Sequence, residues 1–231
     1  MQLEHGPRRA GFADRRQAGA ALAELLKQFA GRKDVDVLAL PRGGVPVGYE
    51  VARALGARLD VFVVRKLGMP GHSELAMGAI ASGDVRVMNQ DVLQAYPVSA
   101  SAIEAVTRAE RLELDRRERA YRDGRPLVPI AGRIVILVDD GLATGSTMHA
   151  AVLAVRRLQP ARVVVAVPVG ARQTCDALRG IADEVVCAST PEPFRAVGLW
   201  YGDFAQTTDE EVRQLLARAS AGSPAPAGRS A

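Results

Sequence analysis

The sequence of 231 residues is poor in aromatic residues, lysine, cysteine and histidine. Aromatics make up 4% of the chain while hydrophobic residues reach 48%, so the core has to be built mainly from Val, Leu, Ile and Ala. This content excludes disorder for most of the chain. Lysine supplies only three of the 30 basic residues, and the net charge of +4 is too mild to identify a class of partner.

The few cysteines and histidines exclude the common metal and disulfide scaffolds. Cys175 and Cys187 form neither a CxxC pair nor a disulfide framework, and the three histidines lack metal-ligand spacing. No apolar run approaches the roughly 20 residues of a membrane span, and the N-terminus lacks the apolar stretch of a signal peptide. We therefore expect a reduced, cytoplasmic protein with no membrane partner.

Short β-branched runs alternate with helical patterns along most of the chain. Runs that are apolar on both faces and separated by helices indicate βαβ units, so the predicted fold class is α/β with a parallel sheet. Asp14 is the predicted N-cap of the first helix. The predicted strands are 35–40, 59–65, 133–138, 161–167 and 183–188, and the predicted helices are 12–30, 45–55, 146–158 and 171–180.

Four segments depart from this alternation. Residues 67–81 are rich in Gly and small residues and predict a long mobile loop, followed by a short strand at 84–88. Residues 99–123 predict one long helix whose interspersed charges favour a solvated face over a nucleic-acid-binding surface. The segment 219–231 is of low complexity and predicts a disordered tail.

The most informative segment, 134–150, reads IVILVDDGLATGSTMHA. An apolar strand ends in Asp139 and Asp140, and a loop of small residues then opens a helix. Backbone amides at a helix N-terminus favour phosphate, and carboxylates at a strand end suit ribose hydroxyls or a cation. The implied ligand is a ribose phosphate. The spelling excludes a P-loop, because no lysine follows Gly145, and no GxGxxG dinucleotide motif follows a strand.

This segment resembles the signature of type I phosphoribosyltransferases, in which hydrophobic residues precede two acids and a T-G-x-T loop. Over roughly residues 12–215 the chain is similar to predicted bacterial phosphoribosyltransferases of unassigned substrate, which share the sequence motifs PRGG, RKLG and VGLWY-x-DF. The resemblance implies a three-layer α/β/α domain over 1–218, with strand order 3-2-1-4-5-6 and an antiparallel strand near 84–88. It also implies a small hood formed by 1–30 and 190–212.

The resemblance assigns site roles to the motifs. Asp139 and Asp140 would hold the ribose 2′ and 3′ hydroxyls of phosphoribosyl pyrophosphate (PRPP) and a Mg²⁺ ion, directly or through water. The PRGG segment follows the first strand, as the family's pyrophosphate loop does, and that loop often contains a strained or cis peptide; a plain helix-entry turn is the alternative. The implied pyrophosphate contacts are Arg42, Gly43 and Gly44, and the implied 5-phosphate contacts are Ala143, Thr144, Gly145, Ser146 and Thr147.

Strand 59–65 is expected to end in Arg65 and Lys66 at the edge that faces this site. Lys66 is a candidate pyrophosphate contact in a chain with few lysines, and a solvated lysine is the alternative. The 67–81 loop matches the family's flexible loop, which closes over the reaction centre. His72 and Glu74 are its polar candidates, with simple exposure as the competing interpretation for His72.

The resemblance implies Mg²⁺-dependent transfer of phosphoribose from PRPP to a nitrogenous base or other amine. Lys66, Arg42, Asp139 and Asp140 are the predicted catalytic residues. Trp200 and Tyr201 are candidates for stacking on the acceptor, or else they pack beneath the hood. The 6-oxopurine enzymes carry an aspartate where this chain has Ala143, which argues against hypoxanthine or guanine. The alternative function is a non-catalytic PRPP sensor; nucleic acid is not an expected partner, and a homodimer is the expected assembly.

Overall fold

The structure is a computed structural model that describes residues 11–222, without the side chains of Ser73 and Glu74. Its centre is a five-stranded parallel sheet in the order β2-β1-β6-β7-β8. Buried Val, Ile and Leu fill β1, β6 and β7, as expected for strands covered on both faces. The strands are β1 (Val35–Ala39), β2 (Arg58–Val61), β6 (Ile134–Val138), β7 (Arg162–Val169) and β8 (Glu184–Ser189).

Helices cover both faces of this sheet and confirm the predicted three layers. On one face, α1 (Arg15–Leu25) and α2 (Gly44–Leu55) bury a cluster with β1, β6 and β7. On the other face, α5 (Ser146–Arg157) and α6 (Arg172–Leu178) bury a second cluster with the same sheet. Asp14 caps α1 as predicted, because its carboxylate accepts a hydrogen bond from the Gln17 amide at 2.8 Å.

A second, three-stranded antiparallel sheet consists of β3 (Val64–Met69), β4 (His72–Ala81) and β5 (Val85–Met88). The strand predicted at 84–88 is therefore antiparallel, but it pairs with β4 and not with the edge of the main sheet. The predicted loop over 67–81 is wrong in conformation, since these residues form most of the β3–β4 hairpin.

The predicted strand 59–65 is two strands, because the chain leaves the main sheet after Val61. Buried Arg122 donates to the carbonyl of Val61 and to the carboxylate of Asp60. The hydroxyl of Ser82 accepts the Val63 amide at 2.9 Å. Side chains thus satisfy the polar groups at this point, and Arg65 and Lys66 lie within β3 and not at the end of a core strand.

Three further α-helices and two 3₁₀ helices complete the described chain. The α-helices are α3 (Gln90–Ala95), α4 (Ala100–Arg122) and α7 (Asp209–Gly222), and the 3₁₀ helices are Lys27–Phe29 and Val197–Trp200. The predicted helix 99–123 is confirmed by α4, on whose surface Arg116 and Arg117 both pair with Glu113. Residues 219–222 of the predicted tail are helical in α7, and 223–231, like 1–10 of the predicted hood, lie outside the described residues. Within 11–222, no helix is long and apolar enough to cross a membrane.

Candidate active site

The loop between β6 and α5 is fixed at the carboxyl-terminal edge of the main sheet. Gly145 has a φ of 70°, and a Cβ there would lie 2.3 Å from Cγ2 of Thr174, so both conformation and space require glycine. The Thr174 hydroxyl donates to the carbonyl of Ala143 at 2.7 Å. The Leu142 amide donates to the carbonyl of Val169 at 2.9 Å. The loop is therefore held against β7.

The first turn of α5 is suited to bind a phosphate. Its N-cap is Gly145, and no described side chain caps the turn. Thr144, Ser146 and Thr147 are exposed beside it. Unpaired amides and the helix dipole at such an end attract anions. Contact of residues 143–147 with the 5-phosphate stays a prediction.

Asp139 and Asp140 follow β6 directly and are both partly buried. Oδ1 of Asp139 accepts the Asp140 amide at 2.9 Å. Burial raises the pKa of Asp139 well above its ordinary value, and the charge of Asp140 raises it further. Burial also raises the pKa of Asp140, against the opposing effect of the Arg15 guanidinium. Two crowded carboxylates with raised pKa values favour a ligand that supplies hydroxyl donors or positive charge.

The PRGG segment packs directly against these carboxylates. A Cβ on Gly43 would lie 2.1 Å from Oδ2 of Asp140, and a Cβ on Gly44 would lie 2.9 Å from Cα of Asp139. Only glycine therefore lets the two loops approach this closely. The Pro41–Arg42 peptide is cis. The structure thus brings Gly43 and Gly44 together with the acidic pair.

The donor set fits a magnesium ion that is shared with a phosphorylated substrate. Among the described residues, no group of three or more His, Cys, Asp and Glu side chains could hold a metal ion on its own. Mg²⁺ commonly takes one or two carboxylates and completes its shell with water and substrate phosphate. Asp139 and Asp140 offer that number of hard oxygen ligands at the sheet edge.

Arg42 is paired with α7 in this structure. Its Nη1 lies 3.6 Å from Oδ1 of Asp209, which also accepts the Tyr121 hydroxyl at 2.9 Å. About a third of the Arg42 side chain is exposed. A contact between Arg42 and pyrophosphate stays a prediction, and it requires the guanidinium to exchange Asp209 for the ligand.

Arg65 and Lys66 have different environments, because neighbouring residues of a strand point to opposite faces. Nε and Nη2 of Arg65 lie 2.7 and 2.6 Å from Oε2 of Glu110 in α4. Lys66 instead lines a cleft of about 820 Å³ together with Thr144 and Ser146. The structure therefore places Lys66, and not Arg65, in the same cleft as the loop between β6 and α5.

The β3–β4 hairpin forms one wall of this cleft. Leu75, Ala76 and Ala79 of β4 line it opposite His149 of α5, which the sequence analysis did not single out. His72 is exposed near the hairpin turn, and the side chain of Glu74 lies outside the described residues. Closure of this hairpin over a ligand stays a prediction.

The predicted acceptor residues lie in the segment 190–212 of the predicted hood. Trp200 and Tyr201 are each 8% exposed, and they pack in a small cluster with Ala18 and Val169. This burial favours the packing interpretation for Trp200. Tyr201 reaches the site itself, because its hydroxyl donates to the backbone carbonyl of Asp140 at 2.6 Å.

Arg15 is a site residue that the sequence analysis missed. Its Nε and Nη2 lie 2.9 and 2.8 Å from Oδ2 of Asp140, although 125 positions separate the two residues. Its position as the first residue of α1 is the only sequence signal, and many surface arginines share such a position. Only the folded chain brings α1 to the end of β6.

The described features, a parallel α/β sheet with an acidic pair and an uncapped helix N-terminus at its carboxyl edge, are typical of proteins that bind nucleotides or sugar phosphates. The phosphoribosyl transferase domain family matches residues 13–199. The chain therefore belongs to this family, which confirms the resemblance noted in the sequence.

The relatives agree with this assignment. Proteins of two Mycobacterium tuberculosis strains, CDC 1551 and H37Rv, whose names describe them as candidate phosphoribosyl transferases, are each 50% identical over 208 residues. These residues are 90% of this chain and 47% of each relative, so the chain spans about half the length of the curated relatives it matches. The crystal structure of TT1426 from Thermus thermophilus is 46% identical, with a TM-score of 0.81, and the match covers 90% of this chain and 98% of that one.

Proposed function

We propose that this protein transfers phosphoribose from PRPP to a nitrogenous base or other amine and releases pyrophosphate. The observation that carries the proposal is the packing of Gly43 and Gly44 against Asp139 and Asp140, beside the uncapped first turn of α5. A protein that bound only a phosphate would need neither the acidic pair nor the glycine loop. PRPP carries a phosphate, a ribose and a diphosphate that correspond to these three features.

Each part of PRPP has a matching group in the proposed complex. The amides and hydroxyls at the start of α5 bind the 5-phosphate. Asp139 and Asp140 accept hydrogen bonds from the ribose hydroxyls. Backbone amides of the Gly43–Gly44 turn and the ammonium of Lys66 meet the diphosphate. When bound, Mg²⁺ supplies positive charge to the diphosphate oxygens and is held by Asp139, Asp140 or both.

The reaction breaks the bond between C1 of the ribose and the diphosphate oxygen, and a C1–N bond to the acceptor forms. The acceptor nitrogen loses its proton to solvent, and pyrophosphate leaves with the electrons of the broken C1–O bond. The chain stabilises the negative charge that develops on the leaving group through Lys66 and the loop amides. No side-chain nucleophile is required. The hairpin and the hood exclude water from the reacting carbon.

The direct test measures pyrophosphate release from PRPP and Mg²⁺ with a panel of purines, pyrimidines and small amines. Release that depends on one acceptor supports the transferase. PRPP binding without release for any acceptor contradicts turnover and favours a PRPP sensor. Absence of PRPP binding contradicts both functions.

Asp139→Asn together with Asp140→Asn is expected to weaken PRPP binding by about 100-fold or more, since two charge-assisted contacts are lost. Isothermal titration calorimetry with Mg²⁺ measures this change. Asp34→Asn is the matched control, because Asp34 precedes β1 at the opposite edge of the sheet and its carboxylate pairs with Arg32. Unchanged PRPP affinity in the double variant would refute the assigned ribose contact.

A further inference from the structure

Arg15 and Asp140 form a shielded ion pair at the centre of the site. Nε and Nη2 of Arg15 lie 2.9 and 2.8 Å from Oδ2 of Asp140, and Nη1 donates to the carbonyl of Ala205 at 2.8 Å. The side chains of Arg15 and Asp140 are 12% and 15% exposed. Such charge-assisted bonds are short and directional, and low exposure protects them from screening by solvent.

Two aromatic rings of the hood hold the guanidinium in place. Cζ of Arg15 lies 4.0 Å from the ring centroid of Phe204 and 5.9 Å from that of Tyr201. The two rings also contact each other, with centroids 5.0 Å apart. A cation over an aromatic face gains further attraction where water is excluded. The guanidinium is therefore fixed on more than one side.

The hood holds both the side chain and the main chain of Asp140. Tyr201 donates its hydroxyl to the Asp140 carbonyl at 2.6 Å, while Arg15 holds Oδ2. Gly43 lies against the same carboxylate on the other side, where a Cβ would approach Oδ2 to 2.1 Å. Among the described residues, no side chain donates a hydrogen bond to Oδ1 of Asp140. The carboxylate is thus confined, with one oxygen left for a ligand.

We propose that Arg15 is a positioning residue for phosphoribosyl transfer, which orients Asp140 so that Oδ1 receives a ribose hydroxyl while Oδ2 stays on the guanidinium. This inference rests on the proposed function. It assigns the hood a role in sugar binding in addition to any contact with the acceptor. It also explains why Phe204 and Tyr201 lie where they support a guanidinium.

Calorimetric titration of PRPP with Mg²⁺ into wild type, Arg15→Ala and Arg15→Lys tests the proposal. Arg15→Ala is expected to weaken PRPP binding about tenfold or more, the loss of charge-assisted bonds that orient a contact group. Millimolar methylguanidinium, which fits the vacated space, is expected to restore much of that loss. Arg15→Lys keeps the charge and the stem but not the paired donors, so an intermediate affinity is expected.

Arg16→Ala is the matched control, because Arg16 is the next residue, has an 80% exposed side chain and pairs with Glu50 and not with the site. Its PRPP affinity should equal that of wild type. Wild-type affinity in Arg15→Ala would refute the positioning role while leaving the proposed function intact. Tighter binding would mean that Arg15 blocks Asp140, and it would refute the role as well.

Two other results are informative. A loss in Arg15→Ala that methylguanidinium does not reverse would indicate general structural damage and would also refute the proposal. Failure of wild type to bind PRPP would instead overturn the proposed function, together with the role that depends on it. The wild-type titration therefore distinguishes failure of the proposed function, in which wild type does not bind PRPP, from failure of the Arg15 role, in which it does.

Discussion

Replacement of Gly43 by alanine tests the contact between the two loops with little disturbance of the backbone. Gly43 has φ −60° and ψ −33°, a conformation that alanine adopts freely. The added Cβ would lie 2.1 Å from Oδ2 and 2.7 Å from Cγ of Asp140. Because ordinary contact begins near 3.4 Å, the carboxylate has to move by about 1 Å. A displacement of that size in a site costs about 100-fold in efficiency, and we expect a similar loss of PRPP affinity.

The cost to folding should be of the same order as the cost to binding. Movement of Asp140 disturbs its ion pair with Arg15. A hydrogen bond to a charged group contributes about 1.5–3 kcal/mol to stability. In a domain of this size each kcal/mol lowers Tm by about 2–4 °C. We therefore expect Gly43→Ala to fold with a Tm lower by about 3–12 °C.

Calorimetric titration with PRPP and Mg²⁺, together with a thermal melt, measures both quantities. Gly180→Ala is the matched control, because Gly180 is exposed and its added Cβ would come no closer than 3.4 Å to any atom, the carbonyl oxygen of Ala177. If Gly43→Ala binds PRPP as tightly as Gly180→Ala, the acidic pair does not contact the ligand as we propose.

Two further predictions concern stability. Asp36 is fully buried and pairs with Arg58 and Arg133, which are both partly exposed, at the edge opposite to the site. Asp36→Ala should cost about 1.5–3 kcal/mol in urea unfolding without changing PRPP affinity, because the arginines left behind can still reach water. A loss below about 1 kcal/mol would contradict this. Burial and the hydrogen bond to Asp209 raise the pKa of Tyr121 to about 12. The neutral tyrosine therefore stabilises the folded protein fully below pH 10.0, the ordinary pKa, and this contribution is lost as the pH rises towards 12. Tyr121→Phe should make the fall in unfolding free energy between pH 10 and 12 shallower, and an equal fall in both proteins would rule out this linkage.

Local sequence signals predicted the elements whose residues interact with near neighbours. Asp14 caps α1 through the amide of Gln17, only three residues away. The long helix α4 follows from its own pattern over 23 residues. The phosphate loop was also predictable, because strand, acids, small residues and helix are contiguous. Each of these features depends on backbone and side chains within a few turns of one another.

The errors arose where a distant residue decides the local structure. The chain leaves the main sheet after Val61, where Arg122, 61 positions away, binds the Val61 carbonyl. Arg65 was expected at the site but pairs with Glu110 of α4. The hairpin over 67–81 forms because Leu67 and Met77 are buried against other elements. The small residues of this segment give no local signal of that burial.

The sequence by itself determined the class of fold, the phosphate loop and the acidic pair, since hydrophobic periodicity and a contiguous motif carry that information. The tertiary structure decided which scattered groups join this motif: Gly43 and Gly44 from the first strand's loop, Lys66 from the second sheet, and Arg15 and Tyr201 from the hood. The physical reason is that a motif encodes backbone geometry over a short range. The partners of a buried carboxylate depend instead on how helices and sheets pack, and that packing brought Arg15 to Asp140 across 125 positions.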